Sequence, residues 1–116
     1  MAKLLIVDDN PLTMELLTTL FELEGFQVAS VRDGSSVLPA IAEQAPALVL
    51  MDFYLGKIEA TDLVREIRGA PVMADIPIVV VSGADKAYEV LSVGANRFLQ
   101  KPFEPARLLE IVSELV

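Results

Sequence analysis

Leu4-Leu5-Ile6-Val7-Asp8-Asp9-Asn10-Pro11 is the stretch from which the rest of the chain can be read. An unbroken apolar run, without alternation, suits a strand covered on both faces. Asp8 and Asp9 close that run. Asn10-Pro11 then reads as a helix start, because asparagine caps free backbone N–H groups and proline loses nothing at the first helical position. The passage from strand to helix therefore carries two adjacent carboxylates. In a continuing strand they would diverge, but where the chain turns both can face one cation.

Outward from this stretch the same grammar repeats. Apolar runs at 3–8, 26–31, 47–52, 77–82 and 97–100 are the five candidate strands, with helical patterns between them. That alternation is the signature of a parallel sheet in an α/β domain. In the first helix Leu12, Leu16 and Leu20 recur every four residues, with Leu17 and Phe21 beside them, and Gly25 ends it. The second, over 34–44, has Pro39 near the end of its first turn and is expected to start frayed or kinked. The third, over 60–69, carries Leu63, Val64 and Ile67. The fourth, over 85–93, is short, with Asp85 as cap and Gly94 as terminator. The last begins near Pro105 and sets Leu108, Leu109, Val112 and Leu115 on one face.

In an open parallel sheet the carboxyl ends of the strands share one edge, and ligands bind there. Here that edge collects Asp8 and Asp9, Asp52 after Ala47-Leu48-Val49-Leu50-Met51, Ser82 after Ile78-Val79-Val80-Val81, and Lys101-Pro102 after Phe98-Leu99. Three carboxylates, a hydroxyl and an ammonium make a site for a divalent cation and a phosphoryl group. A hard ion such as Mg²⁺ takes oxygen ligands, and without one the crowding of like charges is unfavourable. Asp52 is the candidate nucleophile, forming an acyl phosphate, with the metal offsetting charge on carboxylate and phosphoryl oxygens. Such transfer depends on positioning and electrostatics more than on acid–base chemistry, so the absence of histidine is no obstacle. Ser82 can donate to a phosphoryl oxygen. Lys101 can pair with Asp52 beforehand and with the phosphoryl group afterwards. Taken singly, each residue also reads as an ordinary turn, strand-end or surface residue. The case rests on their falling at the ends of four separate strands.

Composition narrows the function further. A chain of 116 residues, 53% of them hydrophobic, is one domain with enough apolar material for a core. A net charge of -8 argues against binding nucleic acid by phosphate neutralisation. With no histidine, any phosphohistidine in the chemistry belongs to a partner. With no cysteine there are no disulfides or thiolate metal sites, which fits a cytoplasmic protein. No apolar run approaches the roughly 18–20 residues that cross a membrane, and Asp8 breaks the start before a signal-peptide core can form.

Taken together, Ile-Val-Asp-Asp-Asn at 6–10, Leu-Met-Asp at 50–52, Val-Val-Ser-Gly at 80–83 and Gly-Ala-Asn-Arg-Phe-Leu-Gln-Lys-Pro-Phe at 94–103 resemble the receiver domain of two-component response regulators, of the chemotaxis-regulator type. The resemblance covers the whole chain, 1–116, with no output domain in it; a free-standing receiver and the receiver of a longer protein both stay open. It implies a flavodoxin-like (βα)5 three-layer sandwich with a parallel five-stranded sheet of order 2-1-3-4-5. It also implies roles. Asp52 looks like the phosphoacceptor, Asp9 a direct Mg²⁺ (or Mn²⁺) ligand, Asp8 a partner acting mainly through water, and the Tyr54 backbone carbonyl a further ligand. Ser82 and Phe98 stand at the switch positions and Lys101 at the family's lysine position. In the family, phosphorylation draws the hydroxyl toward the phosphoryl group and turns the aromatic inward, repacking the face made by the fourth helix, fifth strand and fifth helix.

The implied function is acceptance of a phosphoryl group from a histidine kinase or phosphotransfer protein, to control a downstream protein or separate output domain. The chain is then not a turnover enzyme but a signalling domain with self-phosphorylation and slow self-dephosphorylation. No nucleic acid or membrane insertion is implied, and a homodimer is left open. Gly56 and Ala60 depart from the family's usual proline and glycine, so that loop is expected to be looser and differently shaped. The stretch from Ser82 to Lys101 is a few residues shorter than usual, which puts standard switching in question. The exposed fourth-helix face near Tyr88 and Glu89 is the expected partner surface. Tyr54, bulky and two past the acceptor, is expected to shield an acyl phosphate from water. Two other readings are weighed against this one. A Mg²⁺ phosphohydrolase with an aspartyl nucleophile usually needs a second aspartate where Tyr54 stands. A phosphorylation-independent interaction module usually lacks the acceptor, an acidic residue or the lysine, all present here.

Overall fold

The computed structural model describes residues 2–116. Five strands, β1 (Lys3–Val7), β2 (Gln27–Val31), β3 (Leu48–Asp52), β6 (Ile78–Ser82) and β7 (Arg97–Gln100), form one sheet. Its order is β2-β1-β3-β6-β7 and every neighbouring pair is parallel. Counting these five alone, that is 2-1-3-4-5. A short antiparallel ribbon, β4 (Tyr54–Leu55) with β5 (Ile58–Glu59), leaves the end of β3.

Successive strand residues point to opposite faces, and the core follows that rule. Leu5, Val7, Val49, Met51, Ile78 and Val80 pack with α2 (Val37–Gln44), α3 (Ala60–Gly69) and α4 (Ala87–Ser92). Leu4, Ile6, Leu48, Leu50, Val79 and Val81 pack with α1 (Pro11–Leu23) and α5 (Pro105–Leu115). The three layers thus come directly from unalternated runs that need cover on both sides.

Local sequence explains most element ends. The Asn10 side chain accepts hydrogen bonds from the Leu12 and Thr13 backbone N–H groups at 2.9 and 3.1 Å, and Pro11 opens α1. Residues 34–36 form a 3-10 turn before α2 proper, with Pro39 in the first α turn, so the expected irregular start is present. The fourth helix runs only over Ala87–Ser92, shorter than the sequence pattern indicates, with Asp85 Oδ1 accepting from the Ala87 N–H at 3.3 Å.

Two expectations are corrected. The face of α1 that meets the core carries Met14 and Phe21 with Leu17, whereas Leu12 and Leu16 are 65% and 63% exposed. The helix has two apolar stripes. The larger aromatic and the thioether fill the space over the sheet, so the leucine stripe turns outward, and Leu16 and Leu20 border a groove with Phe103 and Pro105. The 54–59 segment is also not loose. Gly56 takes φ +65°, the left-handed value that a tight hairpin turn needs and that glycine adopts without strain, and buried Ala60 donates its N–H to the Phe53 carbonyl at 2.8 Å.

One cation braces the far end of the molecule. Arg68, in the last turn of α3, donates to the carbonyls of Gly94, Ala74 and Ile76 at 3.0, 2.9 and 2.7 Å and to Asn96 Oδ1 at 2.9 Å. Asn96 Oδ1 in turn accepts from the Ile78 N–H at 2.8 Å. Gly94 lies at φ +115°, a conformation strained for any other residue, and a Cβ there would press on the Arg68 stem at 3.0 Å. Arg68→Met keeps the stem and removes four donors' worth of charge-assisted bonds. It is expected to lower unfolding free energy by about 2–3 kcal/mol, read as a fall in urea midpoint at unchanged slope.

Candidate functional site

The carboxyl edge of the sheet brings together the residues expected there. Carboxylate oxygens of Asp8, Asp9 and Asp52 lie within 4.8 Å of one another. Asp8 continues directly from β1 and is buried, its Oδ1 accepting from the Asn10 N–H at 2.9 Å. That bond orients the carboxylate and shapes the turn into α1, while Asp9 remains exposed beside it. Asp52 is the last residue of β3, with its side chain 16% exposed.

Lys101 follows β7 at a cis Lys101–Pro102 peptide. Its ammonium lies 3.3 Å from Asp52 Oδ1, and its backbone N–H donates to the Ser82 carbonyl at 2.8 Å. The second bond continues the β6–β7 ladder past Gln100 and fixes the lysine backbone beside the end of β6, the neighbour of the strand that ends in Asp52. Ser82, buried at the end of β6, accepts on Oγ from the Ala84 N–H at 3.2 Å, which leaves its hydroxyl proton free for another acceptor.

Tyr54 stands two residues past Asp52 in β4 and is 45% exposed. Phe98 lies in β7 opposite Val80, two positions below Ser82, and is partly buried against the α2–α3–α4 core rather than at the carboxylate cluster. Sequence reasoning did not find Lys86, whose ammonium packs near the Phe53 and Tyr54 rings. A lysine between Asp85 and Ala87 carries no local pattern that announces a ring contact.

Electrostatics favour a cation here. Burial pushes the Asp52 carboxyl above its ordinary pKa, with Asp8 adding to the rise and Lys101 opposing it. A carboxylate held above its usual value is one whose charge is under-compensated by the protein alone. Three clustered carboxyl groups, hard oxygen donors facing one point, fit a magnesium-type ion.

Comparison with known proteins agrees with this geometry. A family model described as the response regulator receiver domain matches residues 4–113. The DNA-binding response regulator MtrA of Mycolicibacterium smegmatis is 36% identical over 110 residues, covering 92% of this chain and 47% of that protein. The transcriptional regulatory protein GltR of Pseudomonas aeruginosa is 35% identical, covering 98% of this chain and 48% of that one. The chain thus spans about half the length of these curated relatives. Among solved structures, the BeF3-activated N-terminal receiver domain of RstA from Klebsiella pneumoniae superposes with a TM-score of 0.91 at 27% identity, covering 97% of each chain. The receiver domain of sensor histidine kinase PA1611 from Pseudomonas aeruginosa PAO1, which has a magnesium ion coordinated in its active-site cleft, superposes with a TM-score of 0.89 at 26% identity, covering 98% of this chain and 96% of that one.

Proposed function

The chain belongs to the response regulator receiver domain family, and we propose that within it Asp52 is the phosphoacceptor, served by Lys101 and Ser82. Receiver domains are signalling modules that phosphorylate and dephosphorylate themselves, not turnover enzymes. The observation that carries the assignment is the single point of convergence: the Asp52 carboxylate, 3.3 Å from the Lys101 ammonium, lies in the only grouping of three candidate metal ligands among the described residues.

In the proposed reaction an Asp52 carboxylate oxygen attacks the phosphorus of a phosphohistidine on a partner kinase or phosphotransfer protein. The P–N bond breaks, the imidazole leaves and takes a proton from solvent, and an acyl phosphate remains on Asp52. Asp8, Asp9 and Asp52 would hold the ion, with the Tyr54 backbone carbonyl as a further ligand. When bound, Mg²⁺ supplies positive charge against the carboxylates and phosphoryl oxygens. Lys101, paired with Asp52 in the free protein, turns its ammonium to a phosphoryl oxygen after transfer. The Ser82 hydroxyl donates to another. Phe98, two residues along the neighbouring strand, follows by repacking, and the α4–β7–α5 face changes with it. Tyr88, 82% exposed on α4, and Leu91 beside it offer that face to a downstream partner or output domain.

Mixing the protein with a histidine-containing phosphotransfer protein carrying labelled phosphate tests this directly. Label is expected to move to the chain in the presence of Mg²⁺. Label that stays on every histidine donor tried, while a small acyl phosphate readily modifies the chain, contradicts the partner class.

A further inference from the structure

Asp52 and Ser82 are each followed by a segment that leaves the sheet edge, and one lysine ties the two segments together. Lys86 stands at the start of α4, and its Nζ lies 5.3 Å from the centre of the Phe53 ring and 6.0 Å from that of Tyr54. The two rings meet edge to face, with centres 4.7 Å apart. Glu89, one turn along α4, holds the same ammonium at 3.6 Å. Phe53 is buried in the core, so the ammonium rests on a fixed ring and draws the half-exposed Tyr54 toward α4. A cation over aromatic faces is attracted by their negative π surface, and the Tyr54 hydroxyl adds a polar partner. The short β6–α4 connection puts Lys86 within reach of the acceptor loop.

We propose that Lys86 is a positioning residue for the chemistry at Asp52: seated over the Phe53 and Tyr54 rings, it holds Tyr54 across the side of the acceptor that faces α4 and slows loss of the phosphoryl group to water. In that loss a water oxygen bonds to phosphorus, the bond between phosphorus and the acyl oxygen breaks, and Asp52 recovers its carboxylate. Orthophosphate leaves and the water proton passes to solvent. The inference rests on Asp52 being the acceptor. It locates the shielding in a contact between two loops rather than in the bulk of one side chain, so it assigns a role to Lys86 as well as to Tyr54.

The test uses the whole chain labelled with a small acyl phosphate and Mg²⁺, freed of donor, with decay of the adduct followed by intact mass. Lys86→Met and Tyr54→Leu are expected to shorten the phosphoryl half-life by about threefold, the ratio a surface cation–π contact supports. The double variant decays no faster than either single one, because both remove one contact. Lys86→Arg retains the wild-type half-life. In the unlabelled protein the Lys86 ε-methylene proton signals lie upfield from ring currents and return downfield in Tyr54→Leu. A labelled Lys86→Met protein with wild-type decay, or a Lys86→Arg protein that decays as fast as Lys86→Met, overturns the inference and leaves Asp52 as acceptor untouched. A wild-type chain that takes no label under conditions that label another receiver overturns both.

Discussion

The Asp52→Asn variant is expected to take no phosphoryl group from any donor, a loss of at least about a hundredfold in labelling. The replacement keeps the shape of the side chain and can still accept a hydrogen bond from Lys101. What it loses is the anionic oxygen that attacks phosphorus and becomes the bridging atom of the acyl phosphate. Because nearby Asp8 and Asp9 keep their carboxylates, residual labelling of the variant at either one would show that the edge as a whole, not Asp52, supplies the nucleophile. A second readout separates chemistry from folding. Burial and the Asp8 charge hold the Asp52 carboxyl above its ordinary pKa. A group whose folded pKa is raised binds its proton more tightly when folded, so its ionisation costs stability as pH rises past the ordinary carboxylate range. The neutral variant escapes that cost. In metal-free buffer at neutral pH, Asp52→Asn is therefore expected to unfold at a higher urea concentration than the parent, and the difference is expected to shrink as pH falls through the carboxylate range.

The Asp9→Asn variant is expected to lose most of its response to Mg²⁺, with labelling reduced by about tenfold or more. Asp9 is the exposed member of the carboxylate group, whereas Asp8 is buried and committed to the Asn10 N–H. Removing Asp9 therefore takes away an ion ligand without opening a core position. Any ion that binds the folded chain alone stabilises it by mass action, about 2.7 kcal/mol at a hundredfold excess over Kd. The parent is thus expected to gain thermal stability as Mg²⁺ is titrated in, and Asp9→Asn to gain little. In chelator the order reverses, since the variant carries less mutual repulsion among three carboxylates that share a 4.8 Å neighbourhood. A variant that keeps the full Mg²⁺ response places the ion elsewhere.

Much of this site is legible in the sequence because chemistry and topology coincide. Asp8, Asp52, Ser82 and Lys101 each sit at the end of, or just past, an apolar run, and parallel strands put those ends on one edge. No knowledge of register is needed to predict the meeting. The resemblance to receivers supplied the order of the strands, which periodicity alone leaves open.

Other features depend on facts that no local pattern encodes. In α1 the regular spacing of Leu12, Leu16 and Leu20 competes with that of Met14, Leu17 and Phe21, and only the shape of the sheet beneath chooses between them. Gly56 reads as a departure from the family's usual residue, yet in place it makes a tight turn between two short strands. Ala45 ends α2 at φ 45°, a conformation rare outside glycine that its sequence gives no reason to expect. Arg68 and Lys86 look like solvated surface charges, and each proves to join segments far apart in the chain. Long side chains reach across turns, so their partners are set by tertiary structure rather than by spacing.

If Asp52 is the acceptor, the phosphoryl group can be located on it chemically. The protein is incubated with a small acyl phosphate with and without Mg²⁺, the acyl phosphate is trapped by borohydride, which reduces the modified aspartate to homoserine, and the peptides are sequenced by mass spectrometry. Homoserine is expected at position 52 alone, and only when Mg²⁺ is present. Homoserine at Asp8, Asp9 or any other position, or none where a reference receiver treated alongside is modified, contradicts that assignment.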